Sequence, residues 1–253
     1  MQLNEEKIKK DFKKVKKNNP YTTRYPKNKD GGWGNTLEDL LGIRENNKKK
    51  PDYLNFECKA ARSKSGAKIT LSSKVATYPE KSSKFLWNKF GNVKPPENLR
   101  RFYPTLRANN NDALVYEKNY MGLKVERDTK KIRMIIKDLD KKVINSEIYW
   151  SFDDVYSSTI KLKDMLISEI TEEKKEGVTK CYYNTAYVFW GFDFDGFLNQ
   201  LEKGNIELEF RCGVYKDKKR YGQMHDRGPG WRLVKSRWKE TMKNITEHNI
   251  LIE

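Results

Sequence analysis

Histidine is almost missing from this chain. Only His225 and His248 occur in 253 residues, so nuclease types that need a histidine pair or a His-rich metal centre have little to build from. A Ser-His-Asp hydrolase would have to use one of these two. Cysteine is nearly as scarce: Cys58, Cys181 and Cys212 are odd in number and widely spaced, which fits reduced thiols better than a disulfide framework. None stands beside another cysteine or a histidine at zinc-ligand spacing. A Gly-x-x-x-x-Gly-Lys-Ser/Thr loop is lacking, which excludes the common phosphate-cradling NTPase motif. No run reaches the roughly 18–20 apolar residues of a membrane span. The segment Met1 to Lys7 has no apolar signal core, so a cytoplasmic location is expected. Internal repeats and low-complexity tracts are missing too, which excludes solenoids.

What the chain has in excess is positive charge. Lys and Arg number 52 against 35 Asp and Glu, a formal charge of +17. Such a surface attracts polyanions by counterion release, and nucleic acid is the usual one. A 12% aromatic content argues for a folded protein rather than a disordered one. The length suffices for a substantial core. The expectation is an α/β protein with a mixed β-sheet flanked by helices, in two lobes that share one sheet and form a DNA-binding cleft. The lobe boundary is expected near residue 150.

Along the chain, Leu3, Ile8, Phe12 and Val15 have helical spacing within residues 3–17, which predicts an amphipathic helix with a basic outer face. Thr36 is placed to cap a short helix through Leu41, with Gly42 ending it. Residues 68–78 read as a strand or strand pair, and 92–112 as a connector. Residues 113–125 and 131–137 read as an antiparallel pair around Asp128-Thr129-Lys130. A helix is predicted over 152–171, a strand over 180–192, a helix over 194–203 ended by Gly204, a strand over 205–215 and a last helix over 236–248. In the 205–215 strand, Ile206, Leu208, Phe210 and Cys212 point one way, and Glu207, Glu209 and Arg211 the other.

With histidine chemistry set aside, carboxylate chemistry remains. Hydrolysis of a phosphodiester needs a hard cation to offset transition-state charge and to lower the pKa of the attacking water. A nearby lysine can hold the water or the scissile phosphate. Pro51-Asp52 followed by Glu57-Cys58-Lys59 supplies these groups. On a strand, Glu57 and Lys59 share a face and Cys58 points away into the core. Asp52 and Glu57 are the expected Mg²⁺ ligands, Lys59 the catalytic lysine, and Glu38 a third acid from the helix upstream. The pattern is weak alone, because a solvated Lys- and Glu-rich strand face would also produce it.

Gly34-Asn35-Thr36-Leu37-Glu38-Asp39-Leu40-Leu41, a spacer, then Pro51-Asp52 and Glu57-Cys58-Lys59 resembles the catalytic region of the MvaI/BcnI restriction endonucleases. That family belongs to the PD-(D/E)xK superfamily and shares its fold with the mismatch-repair nicking enzyme MutH. The resemblance implies an active site of Glu38, Asp52, Glu57 and Lys59. A second stretch supports it. The family reads bases with an acidic-x-Arg strand and a later His-containing, glycine-rich loop ending in Arg, and here Glu209-x-Arg211 precedes His225-Asp226-Arg227-Gly228-Pro229-Gly230-Trp231-Arg232. Two positions depart from the family pattern: its loop has a second histidine where Arg227 stands, and its strand has aspartate where Glu209 stands.

The chemistry of the second stretch agrees. Arginine pairs bidentately with guanine, a carboxylate accepts from cytosine N4, and histidine can donate or accept. Glu209, Arg211, His225, Arg227 and Arg232 thus suit a G·C-rich site, while the plainer readings are a surface ion pair for Glu209 with Arg211 and a satisfied loop histidine for His225. Trp231 reads as a core anchor. Arg62 and Lys68 are expected to hold phosphates. The resemblance further implies a type II restriction endonuclease acting with Mg²⁺ on double-stranded DNA at a short CC-N-GG-like site, a monomer, with a cognate DNA methyltransferase in the same system. Residues 1–150 are then expected to make the catalytic lobe and 151–253 the recognition lobe. The alternatives are a MutH-like nickase dependent on a partner, and a non-catalytic DNA-binding module.

Overall fold

The structure is a computed structural model that describes residues 2–25, 31–43, 54, 56–63 and 67–253. These fall into two compact units, one drawn from residues 1–69, 160–193 and 242–253, the other from 70–159 and 194–241. A single cut near residue 150 does not reproduce this division, because the chain returns to the first unit twice.

The first unit holds one mixed five-stranded sheet. Its order is Tyr21–Thr22, Val178–Phe192, Asp164–Lys175 and Phe56–Arg62, with Thr246–Ile252 also paired to Val178–Phe192. Phe56–Arg62 runs parallel to Asp164–Lys175, and the other pairings are antiparallel. The helix Gln2–Lys17 forms as its periodicity predicts, and Ile8, Phe12 and Val15 are buried. They join Trp33, Leu37, Phe56, Cys58, Leu166 and Tyr183 in one core. Phe56 and Cys58 therefore face this core, and strand alternation sends Glu57 and Lys59 to the other side.

Three sequence expectations change here. The helix expected over 152–171 ends at Thr159; a 3₁₀ turn, Ile160–Leu162, follows, and Asp164–Lys175 is a strand at the centre of the sheet. Met165, Leu166 and Ile167 are all fully buried. A strand covered on both faces shows an unbroken apolar run instead of alternation, and its Glu- and Lys-rich end imitates a helix. The last helix, Trp238–Asn244, is shorter than expected, and Thr246–Ile252 is a strand. Thr36 does not cap its helix, which spans Gly32–Leu40. Thr36 lies inside it and donates a hydrogen bond to the Gly32 carbonyl at 2.7 Å. Gly42 does end it, with φ of +80°.

The second unit has its own sheets, so among the described residues the single shared sheet that was expected is not seen. The expected hairpin is present: Asn119–Glu126 pairs with Lys131–Lys137, with Glu126 opposite Lys131. A four-stranded sheet follows the order Ile69–Ser73, Gly230–Leu233, Ile206–Glu209, Thr105–Leu106. The stretch read as a connector contains short strands, Asn92–Lys94 and Leu99–Arg101 among them. Trp231 is fully buried and meets Trp150 edge-on at 5.8 Å and Phe197 at 6.0 Å, as expected of a core anchor. Phe12→Ala should lower the unfolding free energy by about 3–5 kcal/mol, read as a fall in the urea midpoint at unchanged m-value.

Candidate functional site

Glu57 is 3% exposed, a costly position for a carboxylate unless positive charge is brought to it. The strand Phe56–Arg62 supplies the first cation two residues on, where Lys59 Nζ donates to Glu57 Oε1. A second comes from the turn Ile160–Leu162: Lys161 Nζ donates to the same oxygen at 2.6 Å. The parallel register sets Met165 opposite Glu57, so the residues just before that strand arrive at the carboxylate's end of the sheet. Burial by itself raises the pKa of Glu57. The charges of Lys59 and Lys161, with their hydrogen bonds, outweigh burial and hold it below the ordinary 4.5.

Of the expected active-site residues, Glu57 and Lys59 are thus brought together. Glu38 is half-buried on the helix Gly32–Leu40, which packs against the strand Phe56–Arg62. Asp52 lies outside the described residues. Among those described, no group of three or more His, Cys, Asp or Glu side chains could hold a metal ion. Glu57 offers oxygen alone, the donor that suits Mg²⁺ better than Zn²⁺, and Asp52 is the expected second ligand. Arg62 lies in an ion pair, its Nε 3.0 Å from Glu172 Oε1. Lys68 is half-buried just before the strand Ile69–Ser73.

Lys161 carries no signal in the sequence. It is one lysine among many, and only the pairing of strands distant in the chain brings it to Glu57.

The expected base-reading residues lie in the second unit where two ladders follow one another, Ile206–Glu209 with Gly230–Leu233 and Cys212–Val214 with Met224–Asp226. Glu209 pairs with Gly230, and Cys212 with Asp226. Two residues on one strand are therefore matched by three on the other, which is a β-bulge at residues 227–229. Gly228 takes φ of +74° there, and its N–H is accepted by Asp226 Oδ1 at 2.8 Å. Arg211 fills the bulge. Its Nε donates to Gly228 O at 3.0 Å, and its Nη2 to Arg227 O at 3.1 Å and Ser73 Oγ at 2.9 Å. These bonds leave Nη1 as the nitrogen Arg211 can offer a base. Burial, then the neighbouring Arg232, holds its pKa below the usual arginine value.

The bulge leaves Arg227 exposed. Glu209 is bonded by Arg232 Nη1 rather than by Arg211, the partner expected in the simple ion-pair reading. The expected single strand 205–215 is broken at Phe210 and Arg211, where the chain changes partners. His225 is half-buried opposite Gly213. All three cysteines are buried, and none forms a disulfide.

The model of the MvaI/BcnI restriction endonuclease family matches residues 9–241. The chain belongs to this family. It is accordingly a restriction endonuclease, a site-specific DNA nuclease. Two solved structures show the shared fold: "Restriction endonuclease MvaI-cognate DNA substrate complex", with TM-score 0.84, 22% identity and 97% of each chain covered, and "Restriction endonuclease MvaI in the absence of DNA", with TM-score 0.60, 22% identity and 97% and 96% covered. The fold is the mixed α/β type expected from the sequence. Among curated proteins none matches the chain. Among the described residues of this MvaI/BcnI family member, no helix is long and apolar enough to cross a membrane.

The Glu57 cluster gives a pH prediction. With its pKa lowered, Glu57 contributes stability that is complete above its unfolded pKa and lost as pH falls through the folded one. Lys161→Met should cost about 1 kcal/mol near neutral pH. In Lys59→Met/Lys161→Met, burial acts unopposed, the Glu57 pKa moves above 4.5, and the Glu57 contribution falls with rising pH. Urea unfolding across the acid range checks the reversal, which Glu57→Gln should abolish.

Proposed function

We propose that the chain is a Mg²⁺-dependent type II restriction endonuclease cutting double-stranded DNA at a short G·C-rich site of CC-N-GG type. The observation that carries this is the buried Glu57 carboxylate with two lysine ammoniums on one oxygen, on the strand that follows Asp52. Asp52 and Glu57 hold the cation, which supplies charge neutralisation at the phosphate and lowers the pKa of water. Lys59 orients the attacking water or the scissile phosphate, and Glu38 serves as the third acid. In-line attack breaks the bond to the 3′ oxygen, giving a 5′-phosphate and a 3′-hydroxyl.

Glu209, Arg211, His225, Arg227 and Arg232 read base edges, with Arg227 the most exposed donor and Arg211 limited to Nη1. Arg62 and Lys68 contact phosphates, and Arg62 would first have to leave Glu172. The catalytic role belongs to the first unit and base reading to the second, which refines the 1–150 and 151–253 division into discontinuous segments. The enzyme acts in the cytoplasm as a monomer, beside a methyltransferase that protects the same site.

Incubating the pure protein with plasmid and Mg²⁺, then sequencing fragment ends, tests the reading. Double-strand cuts at one fixed sequence are expected, and nicking that needs an added partner would overturn it. Lys59→Ala and Asp52→Ala should each lower the cleavage rate by about 10² or more while duplex binding in Ca²⁺ persists. Chelation should abolish cleavage and Mg²⁺ restore it. Arg227→His should change the preferred bases with turnover kept.

A further inference from the structure

The hairpin that carries His225 contains an aromatic arrangement the proposed function does not use. Cys212–Val214 pairs with Met224–Asp226, with Gly213 opposite His225. The chain closes through Tyr215 N–H to Gln223 O at 2.9 Å and Gly222 N–H to Tyr215 O at 3.1 Å. Residues 213 and 215 share a face with 223 and 225. Glycine opposite His225 leaves the imidazole no direct cross-strand side chain, so the ring leans to its diagonal neighbour, within reach for an aromatic. It lies flat on Tyr215, centroids 4.3 Å apart and planes 15° apart.

The tyrosine is itself held. The Arg220 guanidinium carbon lies 3.7 Å from the Tyr215 centroid. Asp217 fixes that guanidinium through Nε at 3.2 Å and Nη2 at 3.0 Å, and accepts the Arg220 N–H at 3.0 Å. The position opposite His225 is also closed to larger residues, since a Cβ on Gly213 would stand 2.2 Å from the Tyr103 hydroxyl oxygen.

We infer that Tyr215, steadied by Arg220 and Asp217, is a specificity-determining positioning residue that fixes the plane of the His225 imidazole for reading a base. This rests on the proposed base-reading role of His225. An imidazole on a half-buried strand can turn about two side-chain torsions, and a base edge accepts it in a narrow range of planes. Ring stacking restricts that rotation without using either ring nitrogen, so both stay available for hydrogen bonds. The hydroxyl of Tyr215 has no part in this; the aromatic face is what matters.

The test compares wild type, Tyr215→Phe, Tyr215→Leu, His225→Ala and the double variant Tyr215→Leu/His225→Ala. The readout is the ratio of kcat/KM on the cognate duplex to kcat/KM on duplexes with one base pair changed. Tyr215→Leu should lower the ratio about threefold to tenfold, Tyr215→Phe should keep it, and Tyr215→Leu should add nothing once His225 is alanine. If His225→Ala leaves the ratio unchanged, base reading by His225 fails and the inference with it. If His225→Ala lowers the ratio and Tyr215→Leu does not, His225 reads bases but the positioning role is wrong. The stack can also be read without any variant. The His225 ring protons of the wild type should be displaced upfield by the tyrosine ring current, and normal shifts would overturn the inference. Tyr215→Phe should keep the displacement and Tyr215→Leu lose it.

Discussion

Keeping one buried carboxylate ionised is the constraint around which the first unit is arranged. Glu57 is withdrawn from water, and a lone charge there would take up a proton instead. Two lysines prevent this, and each requires a different level of structure. Lys59 needs only a strand, since residues two apart share a face. Lys161 needs the parallel pairing of Phe56–Arg62 with Asp164–Lys175, because parallel strands start at the same end and carry the turn Ile160–Leu162 to the carboxylate. The opposite face supports the arrangement: Phe56 and Cys58 are locked into the core that the N-terminal helix covers, so the strand cannot rotate Glu57 outward without exposing them.

A comparable economy governs the second unit, where a single extra residue organises a cluster of charged groups. The bulge at 227–229 would leave carbonyls without ladder partners, and Arg211 supplies the missing donors. An arginine that the sequence suggests as a base reader is thus seen holding the loop that carries Arg227. Glu209 and Arg232 neutralise each other across the adjoining strands. The charged groups of this region thus differ in what they hold together, and residue type does not tell them apart.

Much of this was legible in order along the chain. The N-terminal helix, the hairpin around Asp128-Thr129-Lys130, the strand near 180–192, the helix ended by Gly204 and the burial of Cys58 and Trp231 follow from local periodicity and turn chemistry. The misreadings share one cause. Asp164–Lys175 is covered on both faces, so its apolar run lacks the alternation that marks a strand, and Thr246–Ile252 becomes a strand because Val178–Phe192 offers an edge. Thr36 satisfies the usual preference for a helix cap, yet the helix starts four residues earlier. In each case a long-range pairing or packing partner overrode a local preference.

The sequence by itself determined the class of chemistry. Two histidines and an excess of 17 positive charges narrow the choice toward chemistry on nucleic acid, and the order of the two motifs points to the restriction endonuclease family whose model matches the chain. These are properties of composition and short spacing, which need no fold to be read. The tertiary structure alone decided that Lys161 joins Glu57, that Arg232 rather than Arg211 holds Glu209, and that His225 rests on Tyr215. Those contacts depend on register and on one bulge, quantities that arise only when segments far apart in the chain are hydrogen-bonded side by side.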